Sequence, residues 1–211
     1  MFFDLSLCID IISLIIIYVF FFFPKWKSNR FKLFVKTVMY IYLIFVAYFT
    51  LILPFYIPIP FLNVKYSHFN INLVPFLDII SGNGNSIKEI ILNILMFIPF
   101  GILYPFIYNK NFKTTLCVSI IFSIMIESYQ LLSVRQLSSC DITDLIMNTS
   151  GACLGYLIYC ITNKKAREII YHFFQNNDIE TIHPHKIKHR DKIVILLIIL
   201  AIIRSILIIF I

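Results

Sequence analysis

The chain has 211 residues, of which 60% are hydrophobic and 14% charged, with 18 Lys and Arg against 11 Asp and Glu for a formal net charge of +7. No water-soluble domain of this length needs so apolar a composition, whereas membrane-spanning helices do, each taking about 20 mostly apolar residues to cross roughly 30 Å of hydrocarbon. The basic excess is read as a topology signal at the membrane surface, not as a nucleic-acid interface.

Six stretches meet the length requirement: Leu5–Phe23, Phe34–Leu53, Glu89–Ile107, Thr114–Leu132, Ile142–Thr162 and Ile193–Ile211. The expected fold is therefore all-α, a polytopic helical membrane protein with about six transmembrane helices. No fixed-period repeat or Gly/Ser linker interrupts the chain, and one helical domain is expected. Within it, residues 1–68 form a helix pair and the start of an external loop, 69–162 a three-helix core, and 163–211 a basic segment with a last span.

The start of the chain carries Asp4 and Asp10 where a cleavable signal would be basic, and no small-residue cleavage site follows. The first span is expected to stay as an anchor. Lys25, Lys27, Arg30 and Lys32, with Lys36 in the first turn of span two, mark the connection between spans one and two, and Lys110 and Lys113 lie between spans three and four. Lys164, Lys165, Arg167, Lys186, Lys188, Arg190 and Lys192 lie between spans five and six. The alternate connections hold only Lys65, Lys88 and Arg135. Positive loops stay cytoplasmic, so both termini are expected outside the cytoplasm, in a multi-pass cell-membrane protein.

The connection from Pro54 to Lys88 opens with Pro54, Pro58 and Pro60, which break helix, yet it remains apolar through Phe61 and Leu62. It is expected to lie in the outer interface or to fold back over the bundle. The segment from Lys164 to Phe174 reads either as an interfacial helix on the inner leaflet or as a continuation of span five. His183, His185 and His189 form a short tract among lysines, read as a solvated loop and not as a metal site. Cys8, Cys117, Cys140, Cys153 and Cys160 include no CxxC pair, so neither a disulfide framework nor a metal site is expected. No cofactor is implied either.

Spans three to five carry the polar residues. In span four, Thr115, Ser119, Ser123, Glu127 and Gln130 fall on one helix face. An intramembrane carboxylate costs several kcal/mol unless it is paired, so Glu127 must face protein or water. In span five, Asp141, Asp144 and Asn148 share a face that continues through Gly151 and Gly155, a spacing that lets another backbone approach. One of these acids is explained as a helix cap: Asp141 or Thr143 can accept from the first free N–H groups. In span three, Glu89 and Asn93 share a face, and Pro99 with Gly101 is expected to bend the helix. Antiparallel threading brings the outer ends together. One polar pocket is expected there, built from Asn93, Glu127, Gln130, Arg135, Asp141, Asp144 and Asn148, with Arg135 as its cation.

These residues also carry a resemblance. Asn72-Leu-Val-Pro-Phe76, Asn93 with Phe97-x-Pro99-x-Gly101, Glu127-x-x-Gln130, and Arg135 followed by Asp141-x-x-Asp144, Asn148-Thr149-x-Gly151 and Gly155 occur in an order similar to the VanZ family of bacterial membrane proteins. The resemblance covers about residues 70–160. It implies reduced susceptibility to glycopeptide antibiotics, teicoplanin in the founding member, without supplying an agreed reaction. Span six lies outside the motif core.

Three functions compete. The first is a binding or shielding protein of the cell envelope, engaging membrane lipids and a lipid-linked wall precursor or lipoglycopeptide at the outer leaflet. The second is an intramembrane enzyme on such a substrate, with Glu127 or Asp144 as general base. No nucleophile elbow, zinc triad or phosphate loop supports it, so the first reading is preferred. A transporter ranks last, because charges cluster at one end and, apart from Arg204 in span six, do not line a full pathway. The oligomeric state is not specified by the sequence.

Overall fold

The computed structural model describes residues 2–50, 71–82, 86–132 and 140–175. The sixth expected span, Arg204, the histidine tract, the apolar stretch Phe55–Leu62 and Arg135 lie outside the described residues. Four described helices are long and apolar enough to cross a membrane. The helix Phe112–Leu132 has 21 residues, about 31 Å at 1.5 Å per residue, which also matches the hydrocarbon thickness.

The chain divides into two compact units, residues 1–57 with 170–211 and residues 58–169. In the first unit, α1 (Phe2–Ile17) passes through a π-helical turn, Tyr18–Phe22, into the short α2 (Phe23–Trp26). Pro24 sits in the first turn of α2 and lacks an N–H, while the Phe23 N–H reaches back to Tyr18 O, widening the turn. The span thus reaches Trp26 and not Phe23. α3 (Arg30–Phe49) begins four residues before the expected Phe34, because the Asn29 side chain accepts from Lys32 N–H at 2.8 Å and caps the helix. Tyr18 Oη and Thr37 Oγ1 lie 2.6 Å apart, and Tyr40 Oη donates to Leu14 O at 2.8 Å. Phe22 and Tyr40 pack around these bonds at 5.2 Å between ring centroids.

The second unit holds the polar spans. β1 (Ile71–Asn72) and the one-turn α4 (Leu77–Ile80) precede α5 (Ser86–Tyr108). α6 (Phe112–Leu132) follows, then β2 (Cys140–Asp141) and α7 (Ile142–Gln175). α5 runs on through Pro99 and Pro105 without a break in the helix. It packs on α6 through Phe97, Phe100 and Phe122, with ring centroids 5.4–5.5 Å apart. Its contact with α7 is backbone on backbone. A Cβ at Gly151 would meet the Ile94 carbonyl, one at Gly155 the Ile98 carbonyl, and one at Gly101 the Ala152 carbonyl. The glycine stripe therefore serves close packing, as the spacing implied.

β1 and β2 pair in parallel, Ile71 with Cys140 and Asn72 with Asp141. No strand was expected in an all-α chain. Two residues per strand carry no hydrophobic period, and the pairing satisfies backbone groups where helices stop. α7 has 34 residues, about 51 Å and well beyond the hydrocarbon thickness. The segment from Lys164 is thus the end of α7 and not a separate interfacial helix. No Gly or Pro interrupts residues 156–175, and Arg167 Nε donates to Asn163 Oδ1 at 2.7 Å along the helix.

Arg167 also fixes one end of the unit. Its Nη2 donates to Phe106 O at 2.8 Å and to Asn109 Oδ1 at 2.6 Å, and its guanidinium lies 4.6 Å from the Phe106 ring centroid. Asn109 itself turns the chain out of α5 in the left-handed region, φ 50°. Lys110, Lys113, Lys164 and Lys165 share this basic end.

Candidate functional site

The site lies at the opposite end of the second unit, where α5 starts, α6 ends and α7 starts. The α6 stripe turns inward: Thr115, Ser119, Ser123 and Glu127 are all buried. The Thr115 hydroxyl donates to the carbonyl of Asn111, just before the helix, and the Ser119 hydroxyl to that of Leu116 within it. Further along, the stripe meets α7. Asn148 Nδ2 donates to Ser123 Oγ at 2.9 Å, and Asn148 is 1% exposed. Its Oδ1 is buried with no hydrogen-bond partner among the described residues.

One turn closer to this end of the unit stand the carboxylates. Asp144 Oδ1 accepts from Asn93 Nδ2 at 2.6 Å, joining α7 to α5. Glu127 Oε2 accepts from the Asp141 backbone N–H at 3.1 Å, joining α6 to β2. Asp141 caps α7: its Oδ1 accepts from Thr143 N–H at 2.7 Å, and its Oδ2 from Asn72 Nδ2 at 3.0 Å. Both Asn amides face carboxylates, so their NH₂ groups must be the donors. These are charge-assisted bonds, shorter and stronger than neutral ones.

Thr143 then accepts from the Phe76 N–H at 3.0 Å. Phe76 adopts φ 60°, a left-handed conformation that a bulky residue takes only when its surroundings hold it there. Its carbonyl accepts from Ile79 and Ile80, starting α4. Two bonds thus fasten the segment 71–80 over the start of α7, and Asp78 acts on Asp144 electrostatically, as does Glu89.

Cys140 completes the cluster. Its thiol hydrogen-bonds Glu127, and burial pushes its pKa up, with the Glu127, Asp141 and Asp144 charges acting in the same direction. The thiol is held protonated, which makes it a poor nucleophile. Among the described residues no group of three His, Cys, Asp or Glu side chains is placed to hold a metal ion.

The expected pocket residues are therefore brought together in part. Asn93 meets Asp144, Glu127 meets Asp141, and Asn148 meets Ser123. Gln130 is half-buried one turn beyond Glu127 on α6. Arg135 lies outside the described residues. Asn72, Thr143 and Cys140 were not among the expected site residues. The sequence signalled Asn72 through the motif it begins and Thr143 as a possible cap, but neither signal says which groups the two would meet.

The chain matches the VanZ/LLP1 family over residues 39–163. It is also similar to Protein VanZ of Enterococcus faecium, 34% identical over 105 residues, which is 47% of this chain and 58% of that protein. The chain thus spans somewhat more than half the length of that relative. No solved structure matches it. Glu127, Asp141 and Asp144 fall inside the matched region, and the chain belongs to the VanZ/LLP1 family.

Proposed function

We propose that this protein lowers susceptibility to glycopeptide antibiotics of the teicoplanin type, by binding or shielding a lipid-linked wall precursor or a lipoglycopeptide at the outer leaflet. In this reading both termini lie outside the cytoplasm, and the basic end around Arg167 faces inward. The observation that carries it is the gathering of carboxylates and amides from α5, α6 and α7 at the acidic end, pinned by the Asn93–Asp144 and Asp141–Glu127 bonds. Such a set is preorganised, so a ligand does not have to order it. The similarity to Protein VanZ supports the link to this resistance.

Catalysis on the same ligand would require Glu127 or Asp144 as a general base, since the protonated Cys140 thiol is unsuited to attack. Binding needs no such step, and we prefer it. Arg135 is assigned the anionic part of the ligand, because a cation in an external loop runs against the topology bias.

The test uses Glu127→Gln and Asp144→Asn, which keep shape and remove charge. Both are expected to accumulate in the membrane near wild-type levels and to lose the susceptibility phenotype that the wild type confers. Parallel loss of protein level and phenotype would instead assign these acids to helix packing alone.

A further inference from the structure

We propose that residues 71–80 form a lipid-facing strap, embedded in the headgroup and upper acyl region of the leaflet at the acidic end, so that the carboxylate site behind it is reached from the membrane surface. The polarity of the segment is inverted relative to a loop in water. Its polar and backbone anchors point to the protein: Asn72 to Asp141 and Phe76 N–H to Thr143. Its aliphatic side chains point away. Leu73 is 72% exposed and Ile80 76%, and Ile71, Val74, Leu77 and Ile79 are exposed as well.

A water-exposed segment of ten residues with six bare aliphatic side chains is the reverse of ordinary surface composition and marks an interaction site. Two observations identify lipid as the occupant. Its helical turn α4 lies against α5, whose outward residues Ile87, Ile91 and Leu95 are also exposed on a helix apolar enough to span the membrane. One apolar surface therefore runs from the spanning helix onto the strap. The strap's backbone is also closed on the protein side, by pairing of Ile71–Asn72 with Cys140–Asp141 and by the turn at Phe76. Backbone at membrane depth is tolerated only when its polar groups are satisfied in this way.

This deepens the function proposed above, on whose membrane-borne ligand its second half rests: a headgroup need not leave the bilayer to reach Asp144 and Glu127. The strap's position is tested without reference to any ligand. Ile80→Trp and, separately, Leu73→Trp are placed in a Trp26→Phe background, since Trp26 is the chain's one tryptophan. A second set keeps Trp26 and subtracts the wild-type signal, should the background fail to fold. The protein is reconstituted in phosphatidylcholine vesicles with or without bromine on the upper acyl chain.

The expected result is blue-shifted emission that loses most of its intensity in brominated vesicles and little to aqueous iodide. Quenching by iodide and not by bromine places the strap in water and overturns the proposal. Quenching by neither places it inside the protein and overturns it equally. Either failure leaves the susceptibility test of Glu127→Gln and Asp144→Asn standing, so the two ideas fail separately.

Discussion

Gly151→Ala offers a quantitative test of the α5–α7 contact. In an ordinary exposed helix this change would stabilise by about 1 kcal/mol, because glycine is the poorer helix former. Here the new methyl would fall on the Ile94 carbonyl and within 3.0 Å of Ile94 Cα. These are backbone atoms, and no rotamer change relieves the overlap. The helices must part by roughly an ångström to restore van der Waals spacing, and overpacking of this kind costs about 1–3 kcal/mol. Asn93 precedes Ile94, and its bond to Asp144 measures 2.6 Å. The same separation takes that bond beyond hydrogen-bonding range, adding about 0.6 kcal/mol on the scale measured between membrane helices. The net expectation is a loss of roughly 0.6–2.6 kcal/mol once the propensity gain is subtracted. Thermal unfolding of purified protein in nanodiscs reads it directly, and the susceptibility phenotype should weaken in parallel. A Gly151→Ala protein as stable as wild type, or more stable, would refute the close crossing.

Other perturbations address other parts. Arg167→Lys keeps the charge but loses the fork shared by Phe106 O, Asn109 and Asn163, and should cost about 1–3 kcal/mol in the same melt. Cys140 should alkylate with maleimide more slowly than a free thiol at pH 8–9, catching up only at higher pH, because its raised pKa withholds the thiolate. Glu127→Gln should shift that profile downward, and an unchanged profile would separate Glu127 from the thiol. Arg135→Lys should impair the phenotype nearly as much as Arg135→Ala if its planar guanidinium meets the ligand, whereas full activity of the Ala variant would remove Arg135 from the site. Reporter fusions at Asn109 and Asn176 should read cytoplasmic and one at Asn83 external. An external reading at Asn176 would overturn the orientation.

Much of the core was legible in the residues. The α6 stripe from Thr115 to Glu127 has helical spacing, and an apolar helix can hide such a stripe only against another helix. The glycines at 151 and 155 could serve little but close approach, and Asp141 was foreseen as a possible cap. What was missed depends on long-range placement. Asn72 contacts Asp141 across 69 positions, and Phe76 contacts Thr143 across 67. Neither pair follows from any local period. The β1–β2 pairing is too short to leave a pattern. The reach of α7 past Thr162 was an even choice on composition, since the same amphipathic residues suit a helix on the membrane or one leaving it.

The central claim is that Asn93 of α5 and Asp144 of α7 meet at the acidic end, and a swap measures it most directly. Asn93→Asp alone sets two carboxylates against each other. Adding Asp144→Asn restores one amide and one carboxylate in reversed order. The account predicts that Asn93→Asp lowers the melting temperature in nanodiscs and that the double variant recovers most of that loss. If Asn93→Asp is equally harmful with and without Asp144→Asn, the two side chains do not meet and the site as described does not exist.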